Sequence, residues 1–168
     1  MKKFQFSLES VLGYKQQVLE SLQNEHAILI QKMRQQEERL RQMEESYRAW
    51  NEEFRQAEME GITVAEVMRY ESGLRFWEKE IAQQRQTVLQ CQQEVEQKRR
   101  QVVAARQETA SLEKLREKKQ EEYRKAVQKG EELFIEEVVA AQKAMAALSA
   151  LDVDIINLHA AGTAAMMT

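Results

Sequence analysis

Gly61-Ile62-Thr63-Val64-Ala65-Glu66-Val67 is the one stretch where a helical pattern stops and starts again. Thr63 followed three residues later by Glu66 is a capping box: the threonine oxygen can accept from the Glu66 amide while the glutamate reaches back to the Thr63 amide. Ile62 just before the cap and Val67 four residues after it are spaced for a hydrophobic staple, and Gly61 can take the left-handed conformation that closes a helix. The spacing predicts a helix over 7–60, a turn over 61–63 and a second helix over 64–150.

Heptads run outward from this turn in both directions. On the N-terminal side Leu12, Leu19, His26, Met33, Leu40, Tyr47 and Phe54 occupy a, and Leu8, Lys15, Leu22, Leu29, Gln36, Met43, Trp50 and Ala57 occupy d. On the other side Val67, Leu74, Ile81, Val88, Val95, Val102 and Thr109 occupy a, and Tyr70, Trp77, Gln84, Cys91, Lys98, Ala105 and Leu112 occupy d. An antiparallel hairpin bending near Ile62 places residue n beside one close to 124 − n, and every a of one helix then meets a d of the other. His26 is expected to face Lys98, and Lys15 to face Thr109. Gln36 and Gln84 are expected to face Val88 and Leu40. Tyr47 beside Trp77, Trp50 beside Leu74 and Phe54 beside Tyr70 make the layers nearest the turn large and aromatic. The fold class is all-α, a long antiparallel two-helix coiled-coil hairpin over 1–150, with about fifty paired residues giving roughly 75 Å, too thin for a pocket.

Ser7 is the expected N-cap of the first helix, with Phe6 and Val11 spaced for a second staple. Beyond Leu112 the apolar stripe continues through Leu115, Tyr123, Val127, Leu133, Phe134, Val138 and Met145, and such unpaired stripes look for partners. Gly130 is a candidate bend or fraying point. From Leu151 the pattern decays, and 151–168 reads as a mobile tail with room for one short helical segment.

The 168 residues include no proline and only five glycines, with 32% charged and 43% apolar residues, the composition of long amphipathic helices and not of a compact enzyme. A net charge of −3 offers no broad basic surface for phosphates, so nucleic acid is not an expected partner. Lys98-Arg99-Arg100 reads as solvated helix surface. The single cysteine, Cys91, excludes an internal disulfide and suits a reducing compartment. The start, Met1 to Ser7, is followed by Glu9 and Lys15 and lacks the apolar core of a secretory signal. No uncharged apolar run approaches the ~20 residues of a membrane span, so the chain is expected to be soluble and cytoplasmic, without membrane insertion.

No catalytic, cofactor or metal site is legible. The two histidines, His26 and His159, are not set with ligand spacing, and no Gly-rich loop, CxxC or HExxH occurs. His26 reads as a polar seam residue and Cys91 as a small buried hydrophobe. The charged residues read as solvated faces with pairs such as Glu37 and Arg41. The aromatic row Tyr47, Trp50, Phe54, Tyr70 and Trp77 reads first as seam packing and second as a docking patch.

Phe4-x-Phe6-x-Leu8-x-x-Val11-Leu12, the turn Gly61-Ile62 followed by Tyr70 and Glu78-Lys79-x-Ile81-x-x-Gln84-Arg85, and Leu112-Glu113-Lys114-Leu115-x-Glu117-Lys118 together resemble the FliJ family over roughly Phe4 to Ala150. The resemblance implies the coiled-coil stalk of the flagellar type III export ATPase, similar to a rotary ATPase γ subunit. Its terminal end would insert into the hexameric ATPase ring, and its tip half would contact the membrane-embedded export gate, with export chaperones as further partners. The implied ring contacts are Phe4, Phe6, Leu8, Val11, Leu112, Leu115, Tyr123 and Val127; the implied gate contacts are Met43, Trp50 and Trp77. Gly73 and Glu80 depart from the apolar residues expected in that patch, and Gln84 from a histidine. A stand-alone scaffold or dimerising coiled coil, a virulence-type secretion stalk and another rotary stalk remain alternatives on sequence grounds.

Overall fold

The computed structural model describes residues 3–167. Two helices account for nearly all of them, α1 (Glu9–Glu60) and α2 (Val64–Met166), with no strand among the described residues. The chain divides into two compact units, one of residues 7–113 and one of residues 1–6 with 114–168.

In the 7–113 unit α1 packs antiparallel on α2 as the paired heptads predict. Every a and d position named above is buried or half-buried, and none is exposed. Leu12, Tyr70, Ile81, Val88, Cys91 and Val102 form its most buried apolar layers. Cross-seam partners have residue numbers adding to about 124 throughout, as in Lys15 with Glu108, Glu25 with Lys98, Tyr47 with Glu78 and Phe54 with Tyr70.

The polar seam residues differ from expectation in whom they meet. The buried Gln84 donates through Nε2 to the Gln36 side-chain oxygen at 2.8 Å and to the Gln36 backbone carbonyl at 3.0 Å. A knob at 36 enters a hole formed by residues one turn apart on the facing helix, and Gln84 is one turn from the expected Val88. The buried Gln84 amide, which would lose water without compensation, is thereby satisfied by the half-buried Gln36. Lys98 extends past His26 to Glu25 at 2.7 Å, and Lys15 passes Thr109 to reach Glu108 at 2.6 Å. Both ammonium groups leave the seam for a carboxylate at its wet margin, as long amphipathic side chains do. Thr109, left without Lys15, donates its hydroxyl to the Ala105 carbonyl at 2.8 Å.

The turn is built as a capping box. Thr63 N donates to Glu66 Oε2 at 2.8 Å and Glu66 N donates to Thr63 Oγ1 at 3.3 Å, satisfying two amides that the first turn of α2 would otherwise leave open. Gly61 has φ 90° and ψ 122°. Its φ is positive as expected, but its ψ lies beyond the left-handed helical region, so the chain leaves α1 extended and does not coil into a further turn.

The other end of α1 does not follow the expected cap. The helix starts at Glu9, its cap position is Leu8, and no side chain caps it; the Leu8 carbonyl accepts from the Leu12 amide at 2.9 Å. Leu8 is itself the first seam residue, so the boundary falls where packing begins, one residue past Ser7. Val11 of the proposed staple is 43% exposed.

Near the turn Phe54 stacks on Tyr70 with ring centroids 5.2 Å apart, and Trp50 lies 5.3 Å from Tyr70. The Trp50 indole N–H donates to the Tyr70 backbone carbonyl at 2.9 Å. That carbonyl already lies within the α2 ladder and is open to a second donor because the residue three further on is Gly73. Side chains on a helix lean toward its N-terminus and cover the preceding turn, and glycine covers nothing. A Cβ built at Gly73 would stand 2.6 Å from Trp50 Cζ2, so the indole occupies the space a side chain would need. Trp77 is half-buried at its d position. Its ring contact is with Phe76 of its own helix at 5.5 Å, and the Tyr47 hydroxyl donates to the neighbouring Glu78 at 3.3 Å.

In the other unit, residues 3–6 are non-helical, Phe6 is buried, and Phe4 packs on Tyr123 with centroids 5.6 Å apart and planes tilted by 48°. α2 runs unbroken through Gly130 and on to Met166, so the helix does not fray there, and the segment expected as a tail over 151–168 is helical as far as Met166. Residues such as Ala150, Leu151, Ala160, Ala161 and Ala164 favour helix even where the apolar periodicity fades, and no proline interrupts them. Met1, Lys2 and Thr168, included in the expected hairpin and tail, lie outside the described residues. From residue 131 to 167 every residue is exposed. An 18-residue window of α2 reaches a mean hydropathy of 1.3, none of it buried, which meets the length and composition of a membrane span. Charge counting puts it beyond Lys143, where Asp152 and Asp154 interrupt the apolar residues. The expectation of no such stretch holds only for an uncharged one.

Gly→Ala inside a helix ordinarily stabilises by about 1 kcal/mol. Gly13→Ala, with nothing within 4 Å of the added carbon, should do so, whereas Gly73→Ala should destabilise by about 1–3 kcal/mol through overpacking against Trp50. Urea melts of both variants test the opposite signs. Thr63→Ala should cost about 1 kcal/mol, more than Thr87→Ala, whose hydroxyl only donates back to the Gln83 carbonyl. Hydrogen bonds from the Thr63 amide and hydroxyl hold the Glu66 carboxyl below its ordinary 4.5. Its contribution is therefore complete above the unfolded value and lost as pH falls through the folded one. The difference between wild type and Thr63→Ala should accordingly shrink in acid melts.

Candidate functional site

The residues expected to meet partners fall into two groups. Near the turn Met43, Trp50 and Trp77 are all half-buried along the seam. Trp50 is committed to Gly73 and Tyr70, so Gly73, a departure from the apolar patch, is the residue that lets Trp50 pack. Gln84, another departure, is buried against Gln36 and is a seam residue. Glu80 is half-buried.

Around the same turn stand exposed apolar side chains that the seam reading passed over: Met59, Val64, Met68 and Phe76, with Met59 84% and Phe76 56% exposed. None sits at a or d, so a search for seam positions misses them. The available signal was their size and apolarity at positions where a two-helix hairpin places polar residues. An open groove of about 510 Å³ between the helices is lined by Glu44, Tyr47, Arg48, Glu78, Ile81 and Arg85, and the Arg85–Glu44 ion pair at 3.0 Å closes one side of it. Its walls are mostly charged, and it is a surface groove and not an enclosed pocket.

The expected ring contacts divide between the two units. In the 7–113 unit Leu8 and Leu112 are half-buried and Val11 is exposed. In the other unit Phe6 is buried, Phe4, Tyr123 and Val127 are half-buried, and Leu115 is 37% exposed. Phe4 and Tyr123 cover each other in part through their ring contact, so both serve the fold as well as any partner.

The charged faces are largely self-neutralised. Arg99 and Arg100 both pair with Glu96, at 2.8 Å and 3.2 Å, and Lys98 pairs with Glu25. The Arg99 and Arg100 guanidiniums pull the Glu96 carboxyl down to about 2. The Lys98-Arg99-Arg100 run is thus mostly compensated, with one positive charge in excess of its two carboxylate partners. Arg41 pairs with Glu38 and Glu45, not with the expected Glu37, which instead accepts from Gln92 across the seam. Among the described residues no group of His, Cys, Asp or Glu is arranged to hold a metal ion. Cys91 is buried at its d position.

The chain matches the family model described as flagellar FliJ protein over residues 4–148, a span that takes in the N-terminal aromatic segment, α1, the turn and most of α2. No curated protein and no solved structure matches the chain. With the match covering most of the sequence and the structure supplying the helical hairpin, the chain belongs to the flagellar FliJ protein family and is an export-associated component of the flagellum.

Proposed function

We propose that this protein is a non-enzymatic stalk of the flagellar type III export apparatus, with one end in the hexameric export ATPase ring and the turn of its hairpin at the membrane export gate. The reading is carried by the family match over 4–148, which coincides with a hairpin whose seam is closed and whose apolar side chains remain exposed beside the turn and along α2 beyond residue 113. Export chaperones are further partners, no cofactor is involved, and the protein works in the cytoplasm, peripherally attached to the inner membrane through the apparatus.

The mechanism is mechanical and allosteric. Two helices cannot present the same surface to six equivalent subunits, so an asymmetric stalk contacts them unequally and biases their nucleotide states. The stalk itself supplies no group to the chemistry of ATP. A closed seam suits this role because bias imposed at one end reaches the other only through a pair of helices that keep their register.

The two ends should be separable by mutation. Leu115→Ala with Tyr123→Ala should reduce stimulation of the cognate export ATPase at least about tenfold while leaving gate binding intact, a loss on the order of 1.4 kcal/mol. Met68→Ala with Phe76→Ala, both exposed and outside the seam, should do the reverse. Circular dichroism establishes that each variant remains folded. If folded variants at both ends leave ATPase rate and gate affinity unchanged, the stalk reading is wrong.

A further inference from the structure

The helix beyond residue 143 is not explained by any of these contacts. It is fully exposed, its first large seam-like residue, Leu148, is the last residue of the family match, and the pattern that follows lies outside that match. Leu148 and Ile155 are seven apart, as are Leu151 and Leu158, and the two pairs interleave at a and d spacing. All four are more than half exposed. Asp152 falls at e and Asp154 at g, one on each flank of this stripe, and His159 falls at the following e.

We infer that this stripe is a self-association surface, through which two copies of the chain pair their α2 ends as a short parallel coiled coil. Ile155 at a with Leu151 and Leu158 at d is the arrangement that favours two parallel strands. Charge decides between orientations. In a parallel pair each g residue meets the next e of the other helix, which brings Asp154 of one copy to His159 of the second copy. An antiparallel pair through the same stripe sets Asp154 against Asp154 and Asp152 against Asp152, an arrangement of like charges that disfavours it. The same charges argue against a lipid surface. Interfacial helices carry Lys and Arg on their polar face, and none follows Lys143 through Met167, whereas a span would place both aspartates in hydrocarbon. The stripe from Leu148 to Leu158 extends over less than two heptads and Gly162 fills its next a position, so the pairing is weak and concentration-dependent.

Sedimentation equilibrium of the full chain from about 10 to about 300 micromolar tests this, with dissociation expected within that range. Leu151→Ser with Leu158→Ser, both at exposed sites and so compatible with folding, should raise the dissociation constant at least about tenfold without loss of helix signal. For orientation, Ile155→Cys in a Cys91→Ala background should give a disulfide-linked dimer under mild oxidation, because parallel a layers bring the two 155 positions together. A chain that stays monomeric over the whole range overturns the inference. So does a dimer indifferent to the double serine variant, or oxidation that links Leu148→Cys to Leu158→Cys but never 155 to 155. Sedimentation of the wild-type chain with anionic lipid vesicles, lost in the double serine variant while the free chain stays monomeric, would assign the stripe to a membrane surface instead.

Discussion

A helix in a two-helix hairpin has one neighbour, so its burial is confined to a single strip of side chains and everything else follows from keeping that strip closed. Here the strip repeats every seven residues on both helices and is matched end against end, so that each position from Leu8 to Leu112 named in the two registers is at least half-buried. Few of these residues are deeply buried, because two helices cannot enclose a side chain on all sides. Stability must therefore accumulate along the length of the seam, and a local slip in register would open many layers together.

Register is held by contacts that apolar layers alone do not provide. Leucine and valine layers tolerate a shift by one heptad, since another apolar residue takes each place. Gln84 does not: its amide needs Gln36, and moving it one heptad along leaves a buried donor without an acceptor. Trp50 acts similarly near the turn, because its indole fits only over Gly73 and its N–H finds the Tyr70 carbonyl only there. The capping box at Thr63 fixes where α2 begins, so these three points pin the hairpin at the turn, beside it and at mid-seam. The surface ion pairs are exposed and screened and add little to this.

The same economy explains where partner surfaces can be. A closed seam leaves no cavity, and the flanking charges mostly neutralise one another, as Glu96 does with Arg99 and Arg100. What remains chemically conspicuous is exposed apolar surface: Met59, Val64, Met68 and Phe76 beside the turn, and the α2 face beyond Gly130. Tryptophans at seam positions are poor candidates for a contact that must form and break, since exposing them would open the hairpin.

The heptads, the turn, the capping box and the pairing of residue n with one near 124 − n were legible in the sequence because each rests on helical periodicity or on residues a few positions apart. Cys91 and Thr109 were placed correctly in the seam for the same reason. What only the tertiary structure decided is which polar side chain meets which: Gln36 with Gln84, one turn from the expected Val88, and Lys98 with Glu25 and Lys15 with Glu108, each beside the expected residue, because a long polar side chain can choose among neighbours at the seam margin. Gly73 looked like a gap in an apolar patch until Trp50 was seen to fill it. The helix past Leu151 was obscured because Val153 and Ile156 lie off the short stripe of Leu151, Ile155 and Leu158 and blur its period, while alanine keeps a chain helical without recording a period in the sequence.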